Sequence, residues 1–287
     1  MLTRVYRAAS IGPRAASRWR SSVFAFSLLV GVAGCATAKV PTPAAPARAP
    51  RVATLEEVLA AYEGYCKSIE TLSASGDLDV RDLRGGKTQK LAVRLVAARG
   101  GRLYLKGSVT VVTALEIVST GERFWFQVPS KKTVWTGEAG AAPRRDSDRP
   151  AYESLRPRDL TTALMPEPLA PDPDGALILE AELQAFSVSL ARMDGTKGVL
   201  RRRVWVTRES LTPVRAREYD ERGELVSEVS LSGWRDGFPR TVSLVRPGDG
   251  YEASFVFSKV ERNVAVTERA FQPRPIPEGY KAVEVGN

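Results

Sequence analysis

The sequence predicts an α+β, mainly β fold: a curved antiparallel sheet, an unclosed half-barrel, with helices lidding its concave face. Two observations predict it. Apolar residues recur with a period of two through a long ordered series, about ten or eleven strands separated by short Gly, Asp and Pro turns. Helical periodicity occurs at only two points, so helices pack on one side of one sheet rather than alternating with strands. The 287 residues are enough for a sizeable core, and 43% of them are apolar, an ordinary globular proportion.

The amino-terminal region reads separately. Arg4, Arg7, Arg14, Arg18 and Arg20 precede an apolar run from Val23 to Val32, the order of charge and apolarity in a secretory signal peptide. The run is too short to span a bilayer, which takes roughly 20 residues. It ends in Val32-Ala33-Gly34-Cys35, which resembles the lipobox of bacterial lipoproteins. That resemblance implies cleavage before Cys35 and a covalent lipid on its sulfur, with no other cofactor. The alternative is a free cysteine after an uncleaved anchor. Ala36 and Thr37 follow, with no aspartate to retain the chain at the inner membrane, which implies outer-membrane anchoring on the periplasmic side. Pro41, Pro43, Pro46 and Pro50 then make residues 35–53 a semi-rigid acylated tether, with a reach of roughly 50 Å. Residues 1–34 are thus the signal peptide, and 54–287 a single β-rich domain. Removing the five arginines before Cys35 lowers the net charge from +9 to +4, so the basic balance is no argument for nucleic acid. Arg201-Arg202-Arg203 is the one tight basic run, and strand alternation splits it between two faces.

The domain opens with Thr54-Leu55-Glu56-Glu57, a capping box. Leu55, Val58, Leu59, Tyr62, Cys66, Ile69 and Leu72 follow on one helical face, which predicts an amphipathic helix over Thr54–Leu72 with Cys66 as a buried structural thiol. From Ser75 the period becomes two. Leu91, Val93 and Leu95 alternate with polar or small residues, Gly100-Gly101 turns, and Leu103 to Leu105 resumes. Gly107 to Ala114 reads either as a loop with an exposed tip of Val109, Val111 and Val112, suited to dip into a membrane, or as a strand running on. Thr120-Gly121-Glu122 joins two strands, and Pro157 and Asp159 open a short helix that Pro166 must stop. Seven more strands follow between Ala176 and Val260. Phe124-Trp125-Phe126 puts rings on both faces of its strand, and Phe255 and Phe257 share one face, so the sheet is covered on one side and lines something on the other.

Catalytic chemistry is not visible. The chain has no histidine, which removes Ser-His-Asp and Cys-His catalysis and histidine metal ligands. Ser-x-x-Lys, the GxGxxG fingerprint and the phosphate loop are absent, and no metal site is suggested. Asp172-Pro173-Asp174-Gly175 is a turn rather than a calcium loop. A hydrolase using two carboxylates stays open, since spacing in a sheet cannot reveal such a pair.

The order of parts resembles the LolA/LolB-type lipoprotein-carrier superfamily and its outer-membrane lipoproteins. The residues that carry it are the lipobox, "LEEVLAAYEGYCKSIETL", "LEIVSTGERFWFQVPSKKTVWTG", "LRPRDLTTALMPEPL" and "VAVTERAFQPRPIPEGYKAV". The resemblance implies an apolar cavity that holds acyl chains, and a non-enzymatic lipoprotein that receives or inserts lipoproteins. Leu55, Val58, Leu59, Tyr62, Phe124, Phe126, Phe255 and Phe257 are the candidate cavity lining. Val109, Val111 and Val112 fall near the family's membrane-inserting loop, without its prominent leucine. Partners would be membrane lipid through Cys35 and a lipid or acylated protein ligand. A structural or regulatory envelope lipoprotein that binds a protein without lipid is the alternative.

Overall fold

The computed structural model describes residues 51–141, 151–170, 173–195 and 197–286. Signal peptide, lipobox and most of the tether lie outside the described residues.

Helix α1 (Leu55–Lys67) starts at the predicted cap. The Glu57 amide donates to Thr54 Oγ1 at 3.3 Å, and the Thr54 amide donates to Glu57 Oε2 at 2.9 Å. The helix ends five residues before the predicted Leu72. Asn263 takes over there: its Nδ2 donates to the Ser68 carbonyl at 2.9 Å, and its Oδ1 accepts from the Glu70 amide at 2.8 Å. Ile69 and Leu72 are still fully buried, from the turn and the first strand rather than from the helix. Local periodicity cannot show a stop imposed from the far end of the chain.

Among the described residues fourteen strands follow, more than the sequence series suggests. They are β1 (Thr71–Asp82), β2 (Thr88–Ala98), β3 (Arg102–Val109), β4 (Val112–Thr120), β5 (Arg123–Val128) and β6 (Thr133–Glu138), then α2 (Pro157–Leu164). After α2 come β7 (Gly175–Ala181), β8 (Ala185–Asp194), β9 (Lys197–Thr207), β10 (Pro213–Tyr219), β11 (Leu225–Arg235), β12 (Phe238–Arg246), β13 (Tyr251–Arg262) and β14 (Lys281–Val285). They form one sheet in the order β14-β6-β5-β4-β3-β2-β1-β13-β12-β11-β10-β9-β8-β7, with β14 and β7 as edges that do not meet. The sheet is therefore unclosed. Every pairing is antiparallel except β14 on β6.

Directly opposed residues share a face, so the register draws the core. Leu95, Leu105, Ile117, Phe126 and Trp135 are successive partners across β2 to β6. Leu78 pairs with Leu91 on one side and Phe255 on the other, and Phe255 pairs with Val242. Both helices pack on this inner face. β1 bends at a bulge between Ser75 and Gly76. A Cβ at Gly76 would lie 2.1 Å from the Val256 carbonyl oxygen, so only glycine allows so close a β1–β13 approach.

The outer face is crossed by the chain after β13. Phe271 is buried there, with the Arg102 guanidinium 5.2 Å from its ring centroid. Arg102 also pairs with Glu268 at 2.5 Å, and Arg274 pairs with Glu116 at 3.2 Å. This strap carries the chain to the far edge, where β14 lies parallel to β6. Strand β14 has no counterpart among the sequence expectations.

Candidate functional site

The inner-face core has two parts. The larger joins β1 to β6, β11 to β13 and α2, and includes Phe124, Phe126, Phe255 and Phe257. The smaller lies under α1: Val58, Tyr62 and Cys66 meet Phe186 and Val188 of β8, Val204 and Val206 of β9, and Leu211. Leu55 and Leu59 are half-buried at its margin. The eight residues named as one lining thus divide four and four between two clusters. Within each cluster they pack against other side chains.

Tyr65 and Ala216 touch both clusters and form the seam between them. The Tyr65 ring meets Trp234 edge to face, with centroids 5.2 Å apart. Strict alternation along β11 would turn Trp234 outward. Gly233, at φ 64°, breaks the alternation and brings Trp234 in beside the core that holds Leu231.

The segment after α2 lies along the same seam. Pro166 ends the helix, and neither it nor Pro168 has an N–H to donate, so this stretch cannot pair as a helix or strand would. Two arginines supply donors instead. Arg99 Nη1 donates to the Pro166 carbonyl at 2.9 Å and, more weakly, to that of Met165 at 3.4 Å. Arg202 Nη1 donates to the Glu167 carbonyl at 2.9 Å, and its Nη2 donates to Tyr62 Oη at 3.0 Å. Arg202 therefore ties α1 to the segment that follows α2. Arg99 is not singled out in the sequence, and Arg202 is named there only as part of a basic run, with no role. The available signal was the pair of prolines, which orphan carbonyls that some donor must satisfy.

Burial governs the ionisable groups here. It pushes the Cys66 thiol up to about 11, against the lowering effects of a hydrogen bond with Tyr62 and of the Arg202 and Arg99 charges. Cys66 is a buried, protonated core residue, as its place on the helix face predicts. Burial also raises the Tyr62 and Tyr65 phenols, so both stay neutral.

At the opposite end, α2 is pinned by charge. Arg246 Nη1 meets Asp159 Oδ2 at 2.6 Å, and Arg156 holds Asp249 with two contacts, at 2.9 and 3.0 Å. Arg246 Nε also stands 2.7 Å from Asp249 Oδ2. For Asp159, burial outweighs the Arg246 and Arg156 charges and raises its carboxyl to about 6. For Asp249, burial is outweighed by Arg156 and Arg246, which hold it below the usual carboxylate range.

The openings among the described residues include one beside α2 and one on the outer face. A cavity of about 340 Å³, lined by Arg99, Gly101, Arg158, Thr161, Met165 and Glu167, sits between α2 and the β2–β3 turn. A larger groove of about 760 Å³ lies on the outer face between the strap and Val96 and Tyr104. None of the eight candidate lining residues borders either one.

Of the two readings of Gly107 to Ala114, the structure combines parts of both. The strands run on to Val109 and from Val112, which pair across a two-residue turn of Thr110 and Val111. The tip is exposed and apolar: Val109 is 52%, Val111 91% and Val112 67% accessible. The lipobox residues Val32, Ala33, Gly34 and Cys35 lie outside the described residues. Among the described residues, no helix is long and apolar enough to cross a membrane, and no cluster of acidic or thiol side chains could hold a metal ion.

No family model and no curated protein matches the sequence. Solved structures do. A LolA superfamily protein from Nitrosomonas europaea is 10% identical, over 77% of this chain and 99% of that one, with a TM-score of 0.49. An outer membrane lipoprotein-sorting protein domain from Vibrio parahaemolyticus is 12% identical, over 75% and 96% of the two chains, with a TM-score of 0.46. The MucA/MucB complex of Pseudomonas aeruginosa includes a chain 11% identical, over 76% of this chain and 61% of that one, with a TM-score of 0.25. The first two are of the kind the sequence resembles.

Proposed function

We propose that this chain is a lipoprotein of the outer membrane, anchored on the periplasmic side by lipid on Cys35, that takes an acyl chain beneath α1. It catalyses no reaction. Its role is to receive or insert acylated proteins, with the Val109–Val112 tip entering the bilayer surface. The observation that supports this most is the division of the inner-face core. The smaller part is closed by one helix face, of which Val58, Tyr62 and Cys66 are buried. Their burial contributes on the order of 5–9 kcal/mol. A 16-carbon tail, at roughly 0.8 kcal/mol per methylene, gains about 12 kcal/mol on the same apolar surface. An acyl chain can therefore displace α1 and be displaced by it. The space is created by lifting the helix, since the side chains beneath it are packed in the closed form.

That same packing favours a second reading, an envelope lipoprotein of structural or regulatory role that binds a protein partner and no lipid. One experiment separates the two. Membranes from cells producing the full chain are exposed to a light-activated diazirine analogue of palmitate, and labelled peptides are mapped by mass spectrometry. Labels on α1 and on β8–β9 support the acyl reading, and their absence supports the second. In the same fractions, Cys35→Ser moves the chain out of the membrane; continued membrane residence would refute the anchor.

A further inference from the structure

Buried hydrogen-bond donors without partners gather around one turn of α1. Tyr65 Oη, Trp234 Nε1 and Arg99 Nη2 are each buried with no hydrogen-bond partner among the described residues. Arg202 Nε is buried too, and stands 3.9 Å from Glu218 Oε1, beyond hydrogen-bond reach. Their placement is shared. Tyr65 and Trp234 are in ring contact, Arg202 reaches Tyr62 one turn earlier on the same helix, and the charges of both arginines act on the thiol of Cys66, next to Tyr65. Buried polar atoms are nearly always satisfied, so four open ones along one seam call for a cause.

The set is one-sided. Indole and guanidinium N–H groups only donate, and the tyrosine hydroxyl donates as readily as it accepts. A bare hydrocarbon brings no acceptor to them. A carboxylate or an ester carbonyl does. The 340 Å³ cavity beside the seam shares Arg99 and Met165 with it and adds the guanidinium of Arg158, against the single carboxylate of Glu167.

We infer that the seam beneath α1 holds an acyl ligand by its oxygen-bearing end, a fatty acid carboxylate or a fatty acyl ester carbonyl. The donors open to its oxygens are those of Tyr65, Trp234, Arg99 and Arg202, and the tail takes the place of the α1 face around Val58 on β8 and β9, while the last turn of α1, with Tyr65, stays at the seam. The inference deepens the acyl-binding reading and rests on it.

The test uses the full chain in lipid nanodiscs with three light-activated diazirine probes: analogues of palmitate, methyl palmitate and hexadecane. Covalent labelling is counted from intact mass. The two oxygen-bearing probes label at about tenfold lower concentration than the hydrocarbon, the effect of one or two charge-assisted hydrogen bonds. The double variant Tyr65→Phe, Trp234→Phe keeps the rings, removes two donors and brings the three probes to within about threefold of one another. A further preference for palmitate over its methyl ester identifies the carboxylate as the group held, and equal labelling by the two identifies the carbonyl. If all three probes label the wild type alike, the seam does not read oxygen, while acyl binding stands. If none labels, acyl binding itself fails. If the double variant loses all three equally and unfolds at lower urea, the two residues only support the fold and the inference is overturned.

Discussion

The two helices cover one sheet face, yet they are fastened in different ways. Helix α2 lies over the large core and is tied at its start by a charged cluster of Arg156, Asp159, Arg246 and Asp249. Helix α1 covers the small core, and at its centre Arg202 donates a side-chain hydrogen bond to Tyr62. Beside it lie donor atoms with no partner among the described residues. The difference teaches that one sheet can fasten one cover by desolvated charge and rest the other mainly on apolar contact. A desolvated ion pair that loses one partner leaves a buried charge behind, whereas an apolar face can be exchanged for another apolar surface of similar area.

The strongest way to break this comparison is Arg246→Ala. It leaves Asp159 buried and without its 2.6 Å partner, and the domain loses about 3 kcal/mol in urea unfolding. A loss under about 1 kcal/mol would show that α2 is not fastened by charge. Tyr62→Phe acts on the other helix and costs about 1 kcal/mol, the net worth of one hydrogen bond. The loss is local: hydrogen exchange quickens in α1 while β1 and β2 keep their protection. Equal quickening throughout would mean that α1 opens only when the whole domain does.

The smallest change is a slope with pH. The folded-state value for Asp159, about 6, lies above its ordinary value of 3.8. The folded form therefore binds that proton more tightly than the unfolded chain does. Its contribution to stability is complete below the ordinary value and disappears as pH rises through 6. Urea midpoints of the wild type, measured relative to Asp159→Asn, fall between pH 4 and pH 6.5. A midpoint difference that rises across that interval would show that Arg246, not burial, sets this carboxyl.

Features encoded by neighbouring residues were legible in the sequence. The capping box set the start of α1, Pro157 and Pro166 bounded α2, and alternation placed Leu91, Phe124, Phe126 and Phe255 on one buried face. The apolar hairpin tip could be narrowed to two shapes. Other features depend on partners distant in the chain. Asn263 shortens α1, Gly233 reverses the side of Trp234, and Arg99 and Arg202 clasp carbonyls beyond α2. Each is a contact between segments whose local patterns carry no mark of the other. The partition of the candidate lining into two clusters was hidden for the same reason, because helical and strand periods report that a face is apolar and not which apolar face it meets.

Strand β1 follows α1 at once, yet it stands in the middle of the sheet, and one of its two neighbours is β13. Glu70 and Asn263, bonded at the mouth of that pairing, are 193 residues apart in the chain. A polypeptide made or threaded from its amino end therefore cannot finish its central seam until almost all of it has emerged. Until then β1 to β6 present an open strand edge and an uncovered apolar face, which are the features that drive aggregation. The order of the strands alone puts the closing of this sheet's centre at the end of synthesis, and leaves the first half with an open edge until then.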